Sequence, residues 1–447
     1  MTNLLFSVII FKQKGVADRN IPVECIRHHM VLTIGYILIS TARLLPQNKG
    51  QRSFLLLKKH RKVYTMDAIL NIFQNPSSPE AVLLYKQIVM WIIGGVLIYL
   101  AIKKDMEPTL LLPMGFGAIL VNIPNSGVIT EEGAITILSK IGIATELFPL
   151  LLFIGIGAMI DFGPLLANPK LMIFGAAAQF GIFFTFGAAA LSGRFDIFEA
   201  ASISIIGAAD GPTSIFVGSE LLKTAEQQKV LGGIIVAAYS YMALVPIIQP
   251  PVIRLITTKK ERLIRMPYVQ KEVSKTTRIL FPIVITIIAG VVSPESVALI
   301  GFLMFGNLIR ECGVLDSLSD TAQKVLANLV TLLLGITIAS KMQATDFLTV
   351  NTLVIMGLGL VAFIFDTVGG VMFAKLYNLF AKEKINPMIG AAGISAFPMS
   401  ARVIHKMGLK EDPQNFLLMH AIGINVSGQI ASVIAGGLIL SMVSQYL

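Results

Sequence analysis

The chain has 447 residues, of which 55% are apolar and 14% charged, and its mean hydropathy of +0.77 lies far from that of soluble domains. That balance excludes a water-soluble enzyme and predicts an all-α polytopic membrane protein, because lipid leaves the backbone no partners outside its own helices. The net charge of +10 would suit a nucleic-acid binder, but residues 1–65 carry +9 of it, so no nucleic-acid partner is expected.

Within residues 1–65 the one apolar run, Met30 to Ala42, is too short to span a bilayer. Basic clusters flank it at Arg27-His28-His29 and Lys58-Lys59-His60-Arg61-Lys62, and no small-residue cleavage site follows. Met66-Asp67-Ala68 then opens an ordinary amphipathic stretch. Residues 1–65 therefore read as a non-native N-terminal extension ahead of a true start at Met66; the alternative is a basic arm lying on the membrane surface. Cys25 and Cys312 match no disulfide or zinc spacing.

Downstream, stretches free of Lys, Arg and Glu fall at about 88–102, 109–123, 147–160, 171–192, 200–219 and 231–253. A second six fall at about 279–294, 297–309, 325–340, 347–374, 386–401 and 416–446. Several are shorter than an ideal span, which suits helices buried against protein better than lipid-facing ones. Pro108, Gly115 and Phe116 recur in the second set as Pro294, Gly301 and Phe302, and an Ile-Gly-Ala-Ala run at Ile206 recurs at Ile389, at a nearly constant offset. This predicts two repeats, 66–253 and 279–447, joined by a basic connector, 254–278, that holds eight Lys/Arg and is cytoplasmic by the positive-inside rule.

Each Ile-Gly-Ala-Ala run interrupts an apolar stretch, and backbone groups freed inside a membrane survive only against protein or an aqueous cavity. Lys375, Lys382 and Lys384 precede the second break and Arg402, Lys406 and Lys410 follow it, so it is expected to enter from the cytoplasm and return there. The first break is then expected to enter from outside. Two inverted repeats, each with a broken or re-entrant helix, form a transporter-like core with a site near the midplane.

Asp210 follows Ala209 and precedes Gly211-Pro212, with ten uncharged residues before it and nine after. A carboxylate at that depth points to an ion or proton pathway, and the helix break frees carbonyls that can join it around Na⁺. The second break offers Asn386, Gly390 and Ser395, with Arg402 able to hold a carboxylate anion. Tyr239 and Tyr241 lie in a neighbouring apolar stretch, where Tyr241 can pair with Asp210 or donate a proton. Asn425 and Ser427 add oxygens in the last stretch; His420 reads as a core histidine and Asp366 as a candidate second ion site. No Gly-x-x-x-x-Gly-Lys-Ser/Thr run occurs, so energy is expected from an ion gradient or a partner.

From about Met66 onward the chain resembles the beta subunits of bacterial sodium-translocating decarboxylases, which act in oxaloacetate, methylmalonyl-CoA, glutaconyl-CoA and malonate decarboxylase pumps. The resemblance is carried by Gly207–Thr213, Ala237–Pro246, Ile248–Pro251 and Asn386 through Gly390 to Arg402. It implies a bacterial inner-membrane protein that decarboxylates carboxybiotin, consumes a proton and drives Na⁺ outward. It also implies Asp210 as the sodium and proton carboxylate, with Asn386, Gly390, Ser395 and Asn425 on the ion pathway and Arg402, Tyr241 and Ser395 serving the chemistry. Na⁺ is expected at Asp210, Asn386 and Asn425, the proton passing through Tyr241 or Ser395. The implied partners are a carboxyltransferase subunit, a carrier subunit that holds the biotin covalently, and a small gamma-type membrane subunit, together forming an oligomeric complex. A sodium-coupled carboxylate symporter would use Asp210 and Arg402 equally well; a non-catalytic membrane anchor would leave Asp210 unexplained.

Overall fold

The computed structural model describes residues 79–267 and 272–445, so the expected extension 1–65 and start at Met66 lie outside the described residues. All regular structure among the described residues is helical. In the first half, α1 (Pro79–Lys104), α2 (Pro108–Val121), α3 (Ala134–Gly142) and α4 (Leu147–Met159) precede α5 (Pro169–Leu191). The broken pair α6 (Ile197–Ala208) and α7 (Gly211–Leu221) follows, and then the long α8 (Ala225–Ile256). The second half runs α9 (Lys275–Val292), α10 (Val297–Glu311), α11 (Asp316–Lys341) and α12 (Val350–Phe380). A tight 3₁₀ turn at Pro387–Gly393, α13 (Met399–Glu411) and α14 (Leu418–Ser444) complete it. Seven of these helices are long and apolar enough to cross a membrane, and α3 with α4, bent by 65°, makes up to eight.

Apolarity on every side is the mark of a helix that meets lipid or protein all round rather than water. Burial separates the two cases. The apolar windows of α1 and α9 are only 17% and 11% buried, so these helices are peripheral, whereas those of α8 and α14 are 67% and 72% buried and form the centre. Contacts pair in the same way. Helix α1 packs on α2 as α9 does on α10, α2 packs on α11 as α10 does on α4, and α8 packs on α12 as α14 does on α5.

Caps fix where the broken segments begin and end. Asp196 accepts from the Glu199 amide while Glu199 accepts from the Asp196 amide, a reciprocal pair that starts α6; Thr224 and Gln227 start α8 identically. Gln227 Nε2 also donates to Asp196 Oδ2 at 2.8 Å, so the segment between them leaves and returns at one end of α8. At the other end of α8, Arg262 binds both ends of the second broken segment. Its carbonyl accepts from Asn386 Nδ2 at 2.8 Å and Asn415 Nδ2 at 3.1 Å, and its Nε lies 2.9 Å from Glu411 Oε1. Since α8 has 32 residues, about 48 Å of helix separates the two mouths. Both broken segments are re-entrant, and they enter from opposite ends of α8.

Candidate functional site

The tips of the two re-entrant segments touch. The Ser395 amide donates to the Ala208 carbonyl at 3.0 Å, joining the second Ile-Gly-Ala-Ala neighbourhood to the first. Just beyond Ala208 the chain turns at Ala209, whose φ of +50° is left-handed, and Asp210 caps α7. The break costs helix hydrogen bonds, and the capping carboxylate regains one at Thr213 N, 3.4 Å from Oδ1.

Asp210 is 3% exposed, and its Oδ2 gathers three further donors: Thr213 Oγ1 at 2.7 Å, Gln429 Nε2 at 3.2 Å and Ser432 Oγ at 3.3 Å. Gln429 and Ser432 lie on α14 and are equally buried. Ser395 closes the ring, because its hydroxyl reaches the Ser432 hydroxyl and the Gly428 carbonyl, the latter at 3.2 Å. Asn425 Nδ2 bonds the carbonyls of Ala392 at 3.0 Å and Ile394 at 2.7 Å, and its buried Oδ1 has no hydrogen-bond partner among the described residues. The carboxylate and the hydroxyls of Thr213, Ser395 and Ser432 are hard oxygen donors of the kind that Group 1 and 2 cations take.

The other residues singled out in the sequence make different contacts. Tyr241 donates to the Met356 carbonyl on α12; it is the Tyr239 ring that lies against Gly211 beside Asp210, its buried hydroxyl without a hydrogen-bond partner among the described residues. Tyr241 is thus not bonded to Asp210, since the two tyrosines sit two positions apart on one helix and point in different directions. Asn386 is not on the Asp210 ring. It caps the 3₁₀ turn through Met388 N at 3.1 Å and bonds the Arg262 and Ile264 carbonyls at 2.8 and 3.0 Å. Gly390 is a close-approach position, where a Cβ would overlap the Gly370 carbonyl.

Ser427 bonds the carbonyls of Leu171 at 3.2 Å and Ile424 at 2.7 Å. Asp366 caps the interior break of α5, accepting from the amides of Gly181 and Ile182. Gln429 and Ser432 were not singled out from the sequence. Their hint was polarity at spacing 425, 429 and 432, one face of a helix.

A cavity of about 480 Å³ opens on the connector side between α2, α8 and α13. Arg254, Arg402, Lys406 and Lys410 line it, with Asp105 and Glu107 facing them. Burial pushes the Glu107 carboxyl above the usual carboxylate range, with Arg402 pulling against that and Asp105 adding to it. The cavity is basic, with two acids among four cations.

Residues 86–443 match the family described as the Na⁺-transporting oxaloacetate decarboxylase beta subunit. The chain belongs to this family. It is a multi-pass membrane protein, and the beta-subunit resemblance read from its motifs is borne out. The beta subunit of methylmalonyl-CoA decarboxylase from Propionigenium modestum is 48% identical over 378 residues, covering 79% of this chain and 94% of that one. The glutaconyl-CoA decarboxylase beta subunit of Acidaminococcus fermentans is 50% identical over 355 residues, covering 79% and 92%. The oxaloacetate decarboxylase beta chain of Haemophilus ducreyi is 42% identical over 440 residues, covering 85% and 99%.

Proposed function

We propose that this subunit decarboxylates carboxybiotin carried by a partner, consumes one proton, and uses the free energy to move Na⁺ out of the cell. The observation that carries the reading is Asp210, a buried carboxylate held where two oppositely entering re-entrant segments meet. Sodium is the transported substrate, and Asp210, Ser395, Ser432 and Asn425 Oδ1 offer it oxygens. Asn386 and Gly390 support that site at a distance by fixing the re-entrant turn.

An ionised carboxylate alone at low dielectric is strongly disfavoured, so Asp210 alternates between a sodium-bound and a protonated form. The matched burial of α1 with α9 and of α8 with α14 supports two inverted repeats, 66–253 and 279–447, as the frame for alternating access. With the connector cytoplasmic, the basic cavity receives the carbamate anion of carboxybiotin at Arg402. The biotin belongs to a carrier subunit, charged by a carboxyltransferase subunit, and a small gamma-type membrane subunit completes the oligomeric complex in the bacterial inner membrane.

Proteoliposomes bearing the assembled complex test this. Addition of the acid substrate should drive Na⁺ uptake into inside-out vesicles, avidin should abolish it, and Asp210→Asn should lose both sodium stimulation and transport. Avidin-insensitive uptake of a labelled carboxylate by this chain alone would establish a symporter instead.

A further inference from the structure

The cavity at Arg402 holds a carboxyl group with no part in the scheme above. Glu107 stands in the short link between α1 and α2, at φ +38°, and the Pro108 that follows starts α2. The backbone carbonyl of Glu107 accepts the first turn of α2 from Leu110 and Leu111, which fixes the Cα, while its side chain makes no capping bond. The side chain is half-buried and lines the same cavity as Arg402. The charged groups that face it are Asp105 from its own link, Arg254 from α8, and Arg402, Lys406 and Lys410 from α13. The Glu107 carboxyl group therefore borders the cavity that Arg402 also lines, within reach of a ligand bound there.

We propose that Glu107 is the general acid that protonates the ureido nitrogen of biotin as the carboxyl group departs. The inference rests on the carboxybiotin reading and names the donor that this reading lacks. The carbamate is held by Arg402. Its C–N bond breaks, the carboxyl carbon leaves as neutral CO2, and the bonding pair returns to the ureido nitrogen. Glu107 delivers its proton to that nitrogen and is left as a carboxylate facing Arg402, whose anionic ligand has just gone. It then takes up the proton that each turnover consumes. The bound carbamate, a second negative charge in the pocket, favours the protonated form of Glu107 before the reaction, and Arg402 favours the ionised form after it.

The test uses the assembled complex with its carrier subunit charged with labelled carboxyl groups, and follows single-turnover release of CO2. Glu107→Gln should slow release by about 10²-fold or more, the usual weight of a positioned general acid. The wild-type rate should fall as pH rises through the Glu107 pKa, and the variant should lack that fall. Glu107→Asp should recover part of the rate, and Glu107→Ala should be rescued by added acetate, which a merely structural role would not allow. A Glu107→Gln complex with the wild-type rate and pH profile would overturn the proposal. If the wild-type complex releases no CO2 from charged carrier, it is the carboxybiotin reading that falls.

Discussion

Gln429 Nε2 donates to Asp210 Oδ2 at 3.2 Å, joining the last helix to the first broken segment across 219 residues. The amide has two consequences: it holds the carboxylate in place, and it occupies a lone pair that a cation must share. Replacing Gln429 with Leu should therefore weaken sodium activation without dismantling the fold. An apparent Na⁺ constant raised about tenfold is expected, since a hydrogen bond to a charged group is worth about 1.5–3 kcal/mol. Sodium titration of decarboxylation by the complex measures it, and an unchanged constant would remove Gln429 from the site.

Ser395 and Ser432 form a chain to Asp210 in which the middle hydroxyl serves both neighbours. Ser395→Ala and Ser432→Ala should consequently be non-additive. A double-mutant cycle on sodium affinity should show a coupling of about 0.5–3 kcal/mol, whereas independent sites would add within a few tenths.

Tyr239 and Tyr241 should respond oppositely to loss of the hydroxyl. Tyr241→Phe removes the bond to the Met356 carbonyl and should lower thermal stability in detergent by about 1 kcal/mol. Tyr239→Phe removes a buried hydroxyl with no hydrogen-bond partner among the described residues, so stability should hold or rise. Equal destabilisation by both would contradict this placement.

Asn386 ties the re-entrant turn to the connector, and Asn386→Ala leaves the carbonyls of Arg262 and Ile264 without that donor. A loss of about 1–3 kcal/mol is expected, seen as faster proteolysis of the connector near Arg262. Gly390→Ala should be more damaging, because its Cβ would meet backbone rather than a movable side chain. Unaltered melting of Gly390→Ala would mean that α12 can yield there.

Local chemistry made much of this protein legible. The apolar stretches announce spanning helices because lipid leaves the backbone no other partner. Gly211-Pro212 beside Asp210 announces a break carrying a charge, and the Gly207–Thr213 and Asn386–Arg402 motifs point to the beta subunit family. Each of these signals lies within a short run of chain.

The tertiary structure decided which side chains share a site. Helical periodicity does not reveal that Gln429 and Ser432 reach Asp210, or that Tyr239 rather than Tyr241 lies beside it. Asn386 reads from sequence as an ion ligand, yet its bonds go to the connector. Glu107 acquires a chemical context only when α2 and α13 enclose one cavity. A break and a buried charge are written locally, since they depend on what a residue can satisfy within its own turn. The partners that satisfy them come from helices far away in the chain, and packing alone sets which of those faces turn inward.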